Sequence, residues 1–190
     1  MHEIKSQKRN IRSVFTALFA AIIAVCGFIS IPVPASPVPI VLQNMMPILA
    51  AALLGGLQGA GATGLFLIAG ALGLPVFSGA TGGVGVLLGP TGGFLIGYFI
   101  ASLAVGFVMG KPSPAKKTPL PKIISACLLG FILIYIPGII QFMTVLDLSL
   151  SNALAASVIP FLPGDGIKLV LTVSLATKIR PIIARYLFDE

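Results

Sequence analysis

Long apolar stretches separated by short polar or Pro/Gly-rich connections run through most of this chain, and no charged residue falls between Arg12 and Lys111. A helix needs about 20 apolar residues to cross a bilayer, so each stretch can be counted. The first runs from Ser13 to Ile31, and a longer tract opens at Gln43 and Asn44 and reaches Phe77. Gly55, Gly56, Gly59, Gly61 and Gly64 interrupt that tract, so it predicts two short spans joined by a glycine turn. Further spans are expected over about Thr91–Met109, Ile123–Met143 and Ser151–Ile179. The pattern predicts an all-α integral membrane protein, a bundle of six transmembrane helices with both termini on one side. The first stretch has a basic prefix like a signal peptide with cleavage near Ala35. Its apolar part exceeds the roughly 7 to 15 residues of a signal core and more spans follow, so it is taken as a retained helix.

Composition supports a bilayer rather than water as the solvent. Mean hydropathy is +1.09, and charged residues make up 9% against about 25% in a soluble domain. The net charge of +7 does not indicate nucleic acid, because no basic face with stacking aromatics accompanies it. The cations instead form three groups at span ends: Lys5, Lys8, Arg9 and Arg12; Lys111, Lys116, Lys117 and Lys122; and Lys178, Arg180 and Arg185. The positive-inside bias makes these ends cytoplasmic. This divides the chain into a basic cytoplasmic tail over 1–12, one membrane domain over 13–185 and a short cytoplasmic tail over 186–190. The outward loops are then Pro32–Val41, Pro75–Gly89 and Thr144–Leu150, of which the first two are rich in Pro and Gly and free of cations.

Against this background Asp165 and Lys168, in the run PFLPGDGIK, stand inside an apolar stretch. A charge at the bilayer centre costs about 2.5 to 3.5 kcal/mol on insertion scales, so pairing, water or a ligand must offset it. At i, i+3 spacing both fall on one helix face, where they close on each other as a packing pair or on a polar ligand. Irregular backbone at membrane depth also needs protein or a cavity to satisfy it, and both Pro/Gly loops lie on the side where the Asp165 helix begins. The expectation is a lidded, outward-facing pocket. Gln43 offers an amide that both donates and accepts, or an interfacial cap. Thr91, Gly92 and Gly93 open a helix whose N-terminal amides suit an anion, or serve only as turn and cap. Phe77 and Tyr135 are candidate apolar walls, or core.

No catalytic or metal constellation is evident. The sole histidine, His2, lies in the tail, Cys26 and Cys127 sit in apolar spans without CxxC spacing, and GPTGGFLIG lacks the Lys-Ser/Thr of a nucleotide loop. No cofactor is expected. Small residues mark close helix approach: Gly89, Gly93, Gly97 and Ala101 every fourth position, and two overlapping AxxxA patterns, Ala17/Ala21 and Ala20/Ala24, on the first span.

The order of PVPIVLQ, GALGLPVFSGATGGVGVLLGPTGG and PFLPGDGIK closely resembles the BioY family, biotin-specific substrate-binding (S) components of energy-coupling-factor (ECF) transporters. The resemblance spans roughly Arg12 to Arg185. It implies the S-component fold in the cytoplasmic membrane, biotin as ligand, and partnership with a transmembrane coupling protein and two cytoplasmic ATPase subunits. It also implies that Asp165 and Lys168 bind biotin, with a carboxylate accepting ureido N–H groups, and that an Ala-rich face of the first helix docks on the coupling protein. Other readings are an S component for a different vitamin, an intramembrane enzyme using Asp165 as acid or base, and a purely structural membrane protein.

Overall fold

Helices dominate the computed structural model, which describes residues 2–33 and 36–188, with side chains over 10–31 and 38–187. The elements are α1 (His2–Cys26), β1 (Ser30–Val33), β2 (Ser36–Val41), α2 (Met45–Leu54), α3 (Gly56–Ala71), α4 (Val84–Leu88), α5 (Gly92–Met109), α6 (Leu120–Leu146), α7 (Leu150–Ser157) and α8 (Leu162–Phe188). By length and composition α5 and α6 suffice to cross a membrane, and α7 and α8, bent by 57° at their break, pass the same test only when taken together. Asn10–Cys26, α2 and α3 are apolar but shorter. The spans expected at Thr91 and Ile123 therefore coincide closely with α5 and α6. The single sixth span expected from Ser151 does not: the chain breaks at 158–161, and a separate α8 continues past Ile179 to Phe188. Pro160 and Pro163 account for the break, since proline cannot continue the preceding helix but is tolerated in the first turn of the next.

Two segments expected to be irregular have structure. Residues 2–12, assigned to a tail, belong to α1, and the first outward loop contains an antiparallel hairpin pairing Ser30 with Val41 and Ile31 with Ile40. The second loop carries the short α4. Ala35, the possible cleavage position, and the side chains of His2, Lys5, Lys8 and Arg9 lie outside the described residues.

The glycine turn in the long tract is real and sharp. Gly55 has φ +68°, a left-handed value that side chains other than glycine's rarely adopt, and it presses against the Gly110 backbone so closely that a Cβ would collide with the carbonyl. This turn lets α2, which spans only about 15 Å, reverse into α3 at the same end of the bundle where α5 terminates. Nine of the ten α2 residues are buried, so this helix is the centre of the bundle and faces protein on all sides. The small-residue register on α5 has the expected effect. A Cβ on Gly93 would strike the Pro137 carbonyl, and one on Gly97 the Ile134 backbone, so α5 and α6 pack backbone against backbone.

Both described ends of the chain meet. Arg12 Nη2 donates to the Leu187 carbonyl at 3.2 Å, and Arg180 reaches Met109 and Gly110 at the end of α5. Arg12 thus lies at the same end as the second and third cation groups, while the hairpin, α4 and the start of α8 occupy the other. If the basic end is cytoplasmic, cysteine placed at exposed Ser149 in a background lacking Cys26 and Cys127 reacts with an impermeant thiol reagent in intact cells, and cysteine at exposed Ser113 does not. The opposite labelling pattern would invert the orientation.

Candidate functional site

Asp165 lies in the first turn of α8, and its carboxylate is held from three helices. Lys168 Nζ, one turn along α8, donates to Oδ1 at 2.9 Å. Asn44, at the N-terminus of α2, donates through Nδ2 to the same oxygen at 3.0 Å. Tyr135, in the middle of α6, donates its hydroxyl to Oδ2 at 2.6 Å, a short charge-assisted bond. Asp165 and Lys168 are each only 7% exposed. Asn44 is a residue type that ordinarily caps its own helix, yet it makes no side-chain cap, and its amide bridges to α8 instead.

The cluster retains hydrogen-bonding capacity of both kinds. An ionised carboxylate has about four lone-pair positions and an ammonium three N–H donors. Three bonds to Asp165 leave one acceptor position, and the single bond to Asp165 leaves Lys168 two donors. Asn44 Oδ1 is buried without a hydrogen-bond partner among the described residues. A buried acceptor left so costs about 1 to 3 kcal/mol, which a ligand N–H would recover. The site therefore suits a ligand that carries adjacent N–H donors and an oxygen acceptor.

Three cavities border this cluster, one of them a space of about 250 Å³ against Asp165 and Tyr135 between α6 and α8. A small one of about 50 Å³ is lined by Asp165, Lys168, Asn44 and Tyr135. A third, of about 440 Å³, lies beside the small one under the hairpin, and the two share Val38, Pro39, Val41, Phe94 and Tyr98. The larger volume falls in the range of small-molecule clefts, and its walls are mostly apolar. The space that Asp165 shares with Lys168 and Asn44 is thus too small for an organic ligand; the adjoining apolar cleft under the hairpin supplies the room.

The remaining candidates divide between wall and scaffold. Phe77 lines the larger cavity, edge-on to Phe66 with ring centroids 5.4 Å apart and seated where a Cβ on Gly70 would be. Thr91 lines the same cavity. Gly92 and Gly93 are buried, and their positions are dictated by contact with the Leu87 carbonyl, Gln141 and the Pro137 carbonyl, which is a packing role. Gln43 is fully buried and acts first as a cross-link: Nε2 donates to the carbonyls of Ile23 at 2.9 Å and Val76 at 3.0 Å. Its Oε1 has no partner among the described residues, and the residue lines the larger cavity. Tyr135, expected as a wall, is a hydroxyl donor as well, also edge-on to Phe94. Asn44 was not among the expected site residues. Its polar side chain between an apolar strand and an apolar helix is the signal in the sequence that marks it. Gln141 is also new: Nε2 donates to the carbonyls of Leu87 at 2.8 Å and Gly89 at 2.7 Å, tying the cavity-lining loop to α6.

The chain matches the BioY family model over residues 2–185. It is 38% identical to the biotin transporter BioY of Rhodobacter capsulatus, covering 90% of this chain and 93% of that one. It is 34% identical to the biotin transporter BioY of Lactococcus lactis, covering 87% and 88%. Its fold is similar to a crystal structure of the S-component for biotin from an ECF-type ABC transporter, with a TM-score of 0.82 and 31% identity over 92% of this chain and 93% of that chain.

Removing Asp165 without its partner strands the Lys168 charge, a loss of about 3 to 5 kcal/mol for a buried pair. Tyr135→Phe removes one bond to a charged group, about 1.5 to 3 kcal/mol. Asp165→Ala should therefore lower the thermal midpoint of the ligand-free protein in detergent more than Tyr135→Phe does. Equal midpoints for Asp165→Ala and the parent protein would contradict the buried pairing.

Proposed function

The chain belongs to the BioY family, and on that premise we propose that it captures biotin as the S component of an ECF-type ABC transporter in the cell membrane. Its work is transport, with no reaction of its own. The observation that carries the ligand assignment is the mixed capacity left over at Asp165, Lys168 and Asn44 beside an apolar cleft. Biotin has a ureido group with two N–H donors and a polarised carbonyl, an apolar thioether ring, and a valerate carboxylate. The ureido N–H groups match the open positions on Asp165 Oδ2 and Asn44 Oδ1. Lys168 has donors left for an oxygen of the ligand. The ring system and tail match the apolar walls around Phe94, Tyr98 and Phe77. A different vitamin is the competing ligand, and binding selectivity separates the two.

Energy for uptake has to come from outside this chain. We propose a transmembrane coupling protein with two cytoplasmic ATPase subunits, docked on α1. Ala17 and Ala21 are exposed on α1 and Ala20 and Ala24 are half-buried. The outward face of this helix is thus available for close approach by another helix.

Two measurements check these assignments. Asp165→Asn keeps the shape but turns an acceptor into a donor, so the affinity for labelled biotin should fall by about 2 kcal/mol, or roughly thirtyfold. Unchanged affinity in a folded variant would remove Asp165 from the ligand site, and equal displacement of biotin by unrelated vitamins would remove the ligand assignment. Ala17→Trp, far from Asp165, should leave biotin affinity intact while ATP-dependent uptake and co-purification with the coupling protein fall sharply. Loss of affinity in parallel with uptake would make this face an internal packing surface.

A further inference from the structure

A separate cavity, of about 380 Å³, opens at the basic end of the molecule between the 110–119 connection, the start of α6 and the end of α8. Four cations line it, Lys116, Lys117, Arg180 and Arg185, and no aspartate or glutamate among the described residues does. Two of them come from the connection and two from α8, so folding brings together charges that are far apart in sequence. The positive-inside bias requires only that cations lie near span ends; it does not require them to converge on one cavity.

Arg180 makes the charge imbalance specific. It is 3% exposed, yet its acceptors among the described residues are all neutral. Nε donates to Thr118 Oγ1 at 2.9 Å, Nη1 to the Ala52 carbonyl, and Nη2 to the carbonyls of Met109 at 3.0 Å and Gly110 at 2.8 Å. These bonds fix the guanidinium and satisfy four of its five N–H groups, but supply no counter-charge. Lys116, Lys117 and Arg185 are exposed and have no ion-pair partner among the described residues. Thr118 and Thr177 add hydroxyls to the lining, and Ile123 and Ala176 give it an apolar side.

We propose that this cavity binds a phosphate-bearing anion, of the kind presented by the headgroup of an acidic phospholipid. Guanidinium and ammonium groups recognise phosphate oxygens by charge-assisted hydrogen bonds, and basic pockets between helices on the cytoplasmic side take anionic headgroups. The mixture of cations and hydroxyls with an apolar side fits a headgroup continuing into glycerol. A free phosphate offers the same polar chemistry without the apolar part. The site shares no residue with the Asp165 cluster, so the inference stands or falls separately from the biotin assignment.

The test uses the full-length protein in nanodiscs, with Lys116→Gln, Lys117→Gln and Arg185→Gln combined. All three side chains are exposed, so the variant should fold, and Arg180 is left in place to hold the bundle. Phosphatidylglycerol should stabilise the parent protein saturably, above phosphatidylcholine. The triple variant should lose about tenfold or more in that apparent affinity, while its biotin affinity is unchanged. Inorganic phosphate titrated into phosphatidylcholine nanodiscs distinguishes the sources. Stabilisation by phosphate alone to the same extent supports a soluble phosphate compound, and stabilisation by phosphatidylglycerol alone supports a lipid. Equal behaviour of both lipids with no response to phosphate overturns the proposal. So does an unchanged response in the triple variant. Loss of the coupling-protein complex in that variant, with lipid and phosphate responses unaltered, would instead mark the cavity as a protein-docking surface and overturn it too.

Discussion

A charge inside an apolar interior must be met by partners, and one helix, α8, carries three such charges. Asp165 and Lys168 lie near its start and Arg180 near its end, about 22 Å apart at the rise of an α-helix. Each draws other elements onto α8. Asp165 recruits Asn44 from the start of α2 and Tyr135 from α6, and Arg180 recruits the Ala52 carbonyl near the end of α2 and the carbonyls that close α5. The short helix α2 is therefore pinned to α8 at both ends. In a bilayer, helix association cannot rely on hydrophobic burial, since lipid is as apolar as leucine. Polar bonds of this kind, together with close backbone contact, have to supply specificity.

The two ends solve the charge problem differently. At Arg180 the bonds to main-chain carbonyls nearly exhaust the donors, and the side chain serves as a clamp. At Asp165 the partners hold the carboxylate in place but leave an acceptor position, two ammonium donors and the Asn44 amide oxygen available. A packing pair alone would gain nothing from that spare capacity, whereas a ligand site requires it. The fold places an apolar cleft next to it, beneath a Pro-rich hairpin and a Gly-rich loop. Gln43 and Gln141 tether this region by bonding to its carbonyls. Irregular backbone is thus satisfied by protein, as membrane depth demands.

Helix α1 touches both aspects of the molecule. Its Ile23 carbonyl accepts from Gln43, whose second bond holds Val76 beside the larger cavity. Its Ala17 and Ala21 lie on the exposed face. The element proposed to dock on a coupling protein is consequently linked by one buried glutamine to the wall of the proposed ligand cleft. Capture and energised release can then reside in different chains while remaining in physical contact through a single helix.

The sequence by itself determined the solvent, the placement of α5 and α6, the glycine reversal between α2 and α3, and the occurrence of a charge pair, Asp165 and Lys168, inside an apolar stretch. Each follows from a local contrast: a long uncharged run, a cluster of glycines, a charge where none is tolerated without compensation. The hairpin was not legible, because alternating prolines argue against a strand, and only a two-stranded ribbon with free outer edges accommodates them. The break before α8 was blurred for a similar reason, since the prolines of 160–163 lie within an otherwise continuous apolar stretch. Tertiary structure alone decided that Asn44 abandons its helix cap for Asp165, that Tyr135 contributes a hydroxyl rather than only a ring, that Gln43 is a cross-link, and that Arg180 is a buried clamp rather than one more topological cation. Hydrogen bonds between residues separated by 20 to 128 positions depend on which helix faces meet. Residue type and spacing identify a group that needs a partner, but only the packing of the whole bundle selects which partner it finds.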